Sequence, residues 1–153
     1  MNRDFKDLLS EFSAKSVEFL IIGAHALAAH GHVRATKDLD VWVRPTPENA
    51  PRVVEALRAF GAPLGEVTVT DFSSPGITFQ IGVEPVRIDV ITEIDGVEFE
   101  GAWGRRVQKS YDGLSVGVIS VDDLIANKKA TGRLQDLADI EALQKLLSTA
   151  PAR

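Results

Sequence analysis

Thr36-Lys37-Asp38-Leu39-Asp40-Val41-Trp42-Val43 decides how this 153-residue chain is read. From Asp38 to Val43 charged and apolar residues alternate, the period of a β-strand with one buried face. Leu39, Val41 and Val43 are then expected to face a core, and Asp38 and Asp40 to project together from the other side. Carboxylates two residues apart on a strand sit about 6–7 Å apart, within joint reach of one or two hard cations. Like charges so placed repel unless something neutralises them, and a divalent ion does so directly.

Outward from that strand, Val86–Thr92 repeats the pattern. Val86, Ile88 and Val90 form one face and Arg87 and Asp89 the other. If the two strands pair, Asp89 completes a three-carboxylate group of the kind two-metal phosphoryl and nucleotidyl transfer requires. On the N-terminal side, the apolar run Val17–Ile22 reads as a buried strand closed by Gly23, with an alanine-rich helix from Ala24 to about Gly31. Backbone N–H groups at such a helix start can meet a phosphate, and glycine allows a close approach.

The remaining pattern predicts a helix over residues 3–14, with Phe5, Leu8, Leu9 and Phe12 on one stripe, and another over Pro47–Phe60, ended by Gly61. Pro63–Gly76 reads as a loop with a short strand at Val67–Val69. Ile77–Val83 precedes the Val86–Thr92 strand, joined to it at Glu84-Pro85. A helical turn is expected over 98–104 and a hairpin turn at Tyr111-Asp112-Gly113-Leu114. Two C-terminal helices, 121–131 and 133–147, break at Gly132. Mixed strands and helices without strict alternation place the chain in the α+β (mixed α/β) class, a small mixed β-sheet flanked by helices. The whole of 1–153 is expected to be a single domain, with a core over about 17–120 and a helical pair over about 121–147.

On the helix from Val121, residues 121, 124, 125 and 128 share one stripe, so Lys128 falls where an apolar side chain is expected. Two readings follow. Either Lys128, Asp136 and Arg133 form an internal charge network, or Lys128 reaches a cleft and faces phosphate.

Composition excludes several chemistries. There are no cysteines, so a thiolate zinc site and a cysteine nucleophile are ruled out. His25, His30 and His32 lack the spacing of a helical ligand pair. Neither GxGxxG nor GxxxxGK[ST] occurs, so dinucleotide-binding and P-loop readings have no support. The net charge of −5 argues against a long polynucleotide substrate and favours a small cationic acceptor or a protein partner. MNRDFKDLLSEF is charged and amphipathic, and no apolar run approaches a membrane span; a cytoplasmic protein is expected. Trp42 and Trp103 read as packing residues, and Glu93 and Asp95 as surface acids in reach of a general-base role.

Taken together, Gly23-Ala24, the Asp38-Leu39-Asp40-Val41 string thirteen residues further on, and Asp89 on a later strand resemble the nucleotidyltransferase superfamily that includes DNA polymerase β. Arg34-Ala35-Thr36-Lys37-Asp38-Leu39-Asp40, Arg87-Ile88-Asp89-Val90 and the C-terminal Leu124-Ile125-x-x-Lys128…Arg133-x-x-Asp136-x-x-Asp139-Ile140 narrow the likeness to small bacterial nucleotidyltransferases, the AbiEii-like toxin group and the lincosamide and aminoglycoside enzymes. The resemblance implies a nucleotidyltransferase fold and a Mg²⁺-dependent (or Mn²⁺-dependent) transfer of a nucleoside monophosphate from ATP or another NTP, with release of pyrophosphate. It implies that Asp38, Asp40 and Asp89 bind the metal and act in catalysis. Gly23, Ala24, His25, Arg34, Lys37 and Lys128 would border the nucleotide. The acceptor could be a small hydroxylated molecule, a tRNA or a protein, and a cognate toxin or antitoxin is an expected partner. The family's first motif reads Gly-Gly or Gly-Ser where this chain has Gly23-Ala24, which lacks the serine hydroxyl. That departure supports the alternative, a catalytically silent nucleotide-binding or toxin–antitoxin module of the same fold.

Overall fold

A computed structural model describes residues 2–33, 38–83 and 86–149. Its helices are α1 (Arg3–Ala14), α2 (Gly23–Ala29), α3 (Ala50–Phe60), α4 (Val69–Phe72), α5 (Phe99–Gly104), α6 (Val121–Thr131) and α7 (Leu134–Thr149); its strands are β1 (Phe19–Ile22), β2 (Leu39–Val43), β3 (Thr78–Ile81), β4 (Ile88–Ile91), β5 (Val107–Tyr111) and β6 (Leu114–Val118). The strands form one six-stranded mixed sheet in the order β3-β4-β2-β1-β6-β5. The class is therefore the mixed α/β one expected. Two of its pairings are parallel, β1 with β6 and β2 with β4, and both join strands far apart in the chain.

The alternation read from the sequence sets the two faces of the sheet. Leu39, Val41 and Val43 are fully buried. Val43 pairs with Phe19, whose ring lies edge-on to Phe12 of α1 at 5.4 Å between centroids, so α1 covers this face. α1 contributes Phe5, Leu8, Leu9 and Phe12 to the core from one stripe, and its start is capped by the Asn2 side chain, which accepts from Asp4 N at 2.8 Å. On the opposite face Trp42 meets the Phe99 ring of α5 at 5.0 Å. That is the face carrying Asp40.

Buried Asn49 locks the ends of the two central strands together. Its amide nitrogen donates to the carbonyls of Glu18 (3.1 Å) and Arg44 (3.0 Å), and its Oδ1 accepts from Glu18 N at 2.8 Å. With Asn49 so used, the helix starts at Ala50 rather than at Pro47 as expected.

The strand expected at Val67–Val69 is not there. Thr68 instead caps the short helix α4, accepting from Asp71 N, while Asp71 returns a carboxylate to Thr68 N at 2.9 Å. This reciprocal cap satisfies donors that a three-residue strand would have left to a partner. The Glu84-Pro85 junction lies outside the described residues.

Candidate active site

β2 and β4 run parallel with Asp40 directly opposite Asp89, so strand pairing brings the carboxylates of both strands into one row, with Asp38 immediately before β2. Arg87 stands among them. Its Nη2 lies 3.0 Å from Asp38 Oδ2 and its Nε 3.3 Å from Asp89 Oδ1. One guanidinium thus serves two carboxylates, and among the described residues no cation is in ion-pair contact with Asp40. Burial, then the neighbouring charges of Asp89 and Asp38, push the Asp40 acid up to about 6, against the pull of Arg87 and Lys128. Asp89 is also pushed up, chiefly by burial, with Arg87 opposing.

Gly23 closes the site from β1. It follows Ile22, which pairs with Asp40, and has φ +67°. A Cβ there would lie 2.5 Å from Asp40 Oδ2. Glycine is therefore required twice over, for the left-handed backbone and for the close approach of the turn to the carboxylate. α2 begins at this point, so its positive end faces Asp40.

His25, in the first turn of α2, packs edge-on against Phe5 at 5.4 Å, and its Nδ1 meets the Tyr111 hydroxyl. Burial lowers its pKa, partly offset by the nearby backbone and charge of Asp38. The ring is thus a neutral wall beside Asp38. Tyr111 was not foreseen: it lies 86 residues away in the chain, and only the fold unites the pair. His30 is turned elsewhere, its Nε2 2.7 Å from the Ile119 carbonyl oxygen. Ala24 borders the turn with no hydroxyl to offer. Arg34 and Lys37 lie outside the described residues.

Lys128 is buried in the α6–α7 junction. Its Nζ is 2.9 Å from Asp139 Oδ2 and 3.5 Å from Asp136 Oδ1. Asp136 is further held by Arg133, whose Nε donates at 2.8 Å, and by the Thr131 hydroxyl at 2.7 Å. The internal network read from the sequence exists, with Asp139 added; its signal was the Asp136-x-x-Asp139 spacing, which puts both acids on one helix face. The network is not remote from the carboxylate row, because the Lys128 charge acts on Asp40. A phosphate contact by Lys128 would have to draw on its third N–H, since Asp139 and Asp136 already face the ammonium.

Asp38, Asp40 and Asp89 offer hard oxygen donors of the kind Mg²⁺ and Mn²⁺ take, and the charge deficit at Asp40 is what such an ion relieves. Among the described residues no three acids or histidines are already gathered tightly enough to enclose a metal ion; Arg87 occupies the middle of the row instead. Also among the described residues, no helix is long and apolar enough to cross a membrane.

The fold is similar to that of solved nucleotidyltransferases. The lincosamide antibiotic adenylyltransferase LnuA, lincomycin-bound, superposes with a TM-score of 0.62 at 12% identity over 95% of this chain and 98% of that one. ANT(2")-Ia in complex with adenylyl-2"-tobramycin gives 0.64 at 16% identity over 94% of this chain and 87% of that one. An antigenic nucleotidyltransferase-like protein from Paracoccidioides brasiliensis gives 0.54 at 14% identity over 98% and 77%. At these identities the likeness establishes a shared nucleotidyltransferase fold. No functionally curated protein matches the chain in sequence. A family model does, over residues 1–152, and the chain belongs to that family, described as nucleotidyl transferase of unknown function (DUF2204).

Proposed function

We propose that this protein is a divalent-metal-dependent nucleotidyltransferase whose centre is the Asp38–Asp40–Asp89 row. The observation that carries the reading is the register of β2 on β4, which sets Asp40 opposite Asp89, with Gly23 closed against the Asp40 carboxylate. Asp38, Asp40 and Asp89 would hold Mg²⁺ or Mn²⁺. The ion supplies charge neutralisation for the triphosphate and Lewis acidity at the reacting phosphorus.

The chain's own residues do the rest. Asp89, buried and with its pKa pushed up, would orient the acceptor hydroxyl and take its proton. The acceptor oxygen bonds to the α-phosphorus, the bond from that phosphorus to the bridging oxygen breaks, and pyrophosphate leaves; the hydroxyl proton passes to a carboxylate and on to water. Were these acids to hold an ion, Arg87 would give up Asp38 or Asp89, and its guanidinium could meet a phosphate oxygen. Gly23, Ala24 and His25 would border the phosphates; the same role for Arg34 and Lys37, outside the described residues, rests on the sequence alone.

Two solved relatives of this fold are described with lincomycin and with an adenylylated tobramycin, which supports a small hydroxylated acceptor over tRNA or protein. A toxin-type role rests on the resemblance carried by the Arg34–Asp40, Arg87–Val90 and Leu124–Ile140 strings alone. The test is incubation of the protein with α-labelled NTPs and Mg²⁺, with and without cell lysate. Label transfer by wild type and its loss in Asp40→Asn support the enzyme. Binding without transfer would make the chain a silent nucleotide-binding module, the reading that Ala24 favours.

A further inference from the structure

Tyr111 ends β5 at the edge of the sheet, yet its hydroxyl meets His25 Nδ1 beside the carboxylate row. The two rings lie 5.7 Å apart and tilted by 54°, and Phe5 stands edge-on to the same imidazole, so two aromatic rings fix its plane.

A phenol either donates or accepts, and its choice decides which nitrogen of a neutral imidazole carries the proton. Burial pushes the Tyr111 acid up to about 12, so its hydroxyl keeps its proton. Among the described residues the hydrogen-bond partner of that hydroxyl is His25 Nδ1. A half-buried O–H with one partner donates to it, because accepting instead would leave its own proton unpaired. Nδ1 is then the acceptor of the ring, and the proton sits on Nε2.

Nε2 is itself withdrawn from solvent and completes no hydrogen bond among the described residues. A buried polar atom without a partner calls for an explanation. What lies beside the ring is Asp38, whose main chain and charge both favour a proton on His25. The strand register agrees. β1 and β2 are antiparallel with Ile22 opposite Asp40, so Gly23 to His25 turn past Leu39 and Asp38 as α2 begins. With Nδ1 taken by Tyr111, Nε2 is the nitrogen left to meet the Asp38 main chain. Such bonds are often long or poorly aligned before a site is filled, and tighten when it is.

Asp38 is the member of the row with most need of such a hold. Asp40 and Asp89 stand inside the paired ladder, opposite each other, whereas the pairing begins only at Leu39. The register therefore fixes two of the carboxylates and stops one residue short of the third.

We propose that Tyr111 is a positioning residue of the carboxylate row: its hydroxyl sets the tautomer of His25, and the Nε2–H so fixed holds the Asp38 main chain, and with it the Asp38 carboxylate, in place for the metal. This rests on the nucleotidyltransferase reading. It adds to that reading a residue on the far edge of the sheet that touches neither nucleotide nor metal.

Histidine labelled with ¹⁵N tests the proposal, because long-range proton–nitrogen correlation spectra show which ring nitrogen is protonated. The chain has three histidines, and the spectrum of His25→Gln identifies the signals of His25. Wild type is expected to carry the proton on Nε2 and none on Nδ1. Tyr111→Phe keeps the ring and removes only the hydroxyl. It is expected to replace the single tautomer by a mixture and to bind Mn²⁺ in the presence of ATP, read by water-proton relaxation, roughly tenfold or more weakly, the scale on which outer partners of metal ligands act. Phe5→Leu alters the same ring's packing without touching its hydrogen bonds. It is expected to lower the melting temperature while leaving the tautomer and the Mn²⁺ affinity as in wild type. A proton on Nδ1 in wild type overturns the proposal with no variant needed. So does an unchanged Mn²⁺ affinity in Tyr111→Phe, or a Phe5→Leu protein that loses tautomer and affinity alike; in these cases the nucleotidyltransferase reading stands as long as wild type binds Mn²⁺ with ATP. If wild type binds none, that reading falls and the role of Tyr111 falls with it.

Discussion

The carboxylate row on β2 and β4 and the α6–α7 junction use the same side chain in opposite ways. In the junction, Asp136 and Asp139 are almost fully buried yet provided for by Lys128, Arg133, Thr131 and Gln135. Asp136 is held well below the usual carboxylate range: although burial pushes it up, hydrogen bonds from Arg133 and Thr131 and the Arg133 charge outweigh that effect. In the row, Arg87 lies within ion-pair distance of Asp38 and Asp89, while burial and the charges of Asp89 and Asp38 raise the Asp40 acid to about 6. Buried acids that are matched hold a fold together. Acids left short of positive charge weaken the free protein and await a ligand that supplies it.

The largest effect is expected from breaking the matched set. Lys128→Met removes the cation between two buried acids and should cost about 3–5 kcal/mol in urea unfolding of the metal-free protein. An unchanged or raised stability would mean that Asp136 and Asp139 do not depend on Lys128, and would return that lysine to the cleft.

The opposite sign is expected in the row. Asp40→Asn removes a charge the fold disfavours and should raise metal-free stability at neutral pH, by at most about 3 kcal/mol for a pKa moved from 3.8 to about 6. The gain has a defined pH window. An acid whose folded pKa is raised costs nothing below its unfolded value; the penalty grows between about pH 4 and 6 and is constant above. The difference between Asp40→Asn and wild type should therefore open over that range. The junction behaves in reverse. A depressed Asp136 contributes its full stability above about pH 4 and loses it as acid is added.

The smallest effect concerns Gly23. Alanine there adopts a left-handed backbone and presses on the Asp40 carboxylate, for an expected loss of about 1–2 kcal/mol. Measured again in Asp40→Ala, part of that loss should vanish, because the colliding oxygen has gone. Equal losses in both backgrounds would mean the turn does not press on Asp40. Gly23→Val is accordingly a poor probe of phosphate binding, since it strains the turn and displaces Asp40 with no nucleotide present.

Much of this was legible in the chain because strand alternation is local. Asp38, Asp40, Arg87 and Asp89 declared their faces by period, and Lys128 declared itself by standing in an apolar stripe. Long-range register was not legible. That β4 lies beside β2, with Asp89 opposite Asp40 rather than one residue off, depends on a crossover that no local pattern encodes. Likewise hidden were the pressure of Gly23 on Asp40, the Tyr111–His25 contact and Arg87 bridging two acids. The Val67–Val69 error was local: a β-branched triplet outweighed the Thr68–Asp71 cap that turns the segment into a helix.

The central claim is that the row binds a divalent ion with a nucleoside triphosphate. Thermal unfolding of wild type and Asp40→Asn, each with EDTA and with saturating Mg²⁺ and ATP, tests it most directly. Ligand at about 100 times its dissociation constant adds about 2.7 kcal/mol, which for a chain of this length is a rise of roughly 5–10 °C. Wild type should show that rise, and Asp40→Asn should begin higher in EDTA and gain little. Equal rises in the two proteins, or none in wild type, would contradict the placement of the site.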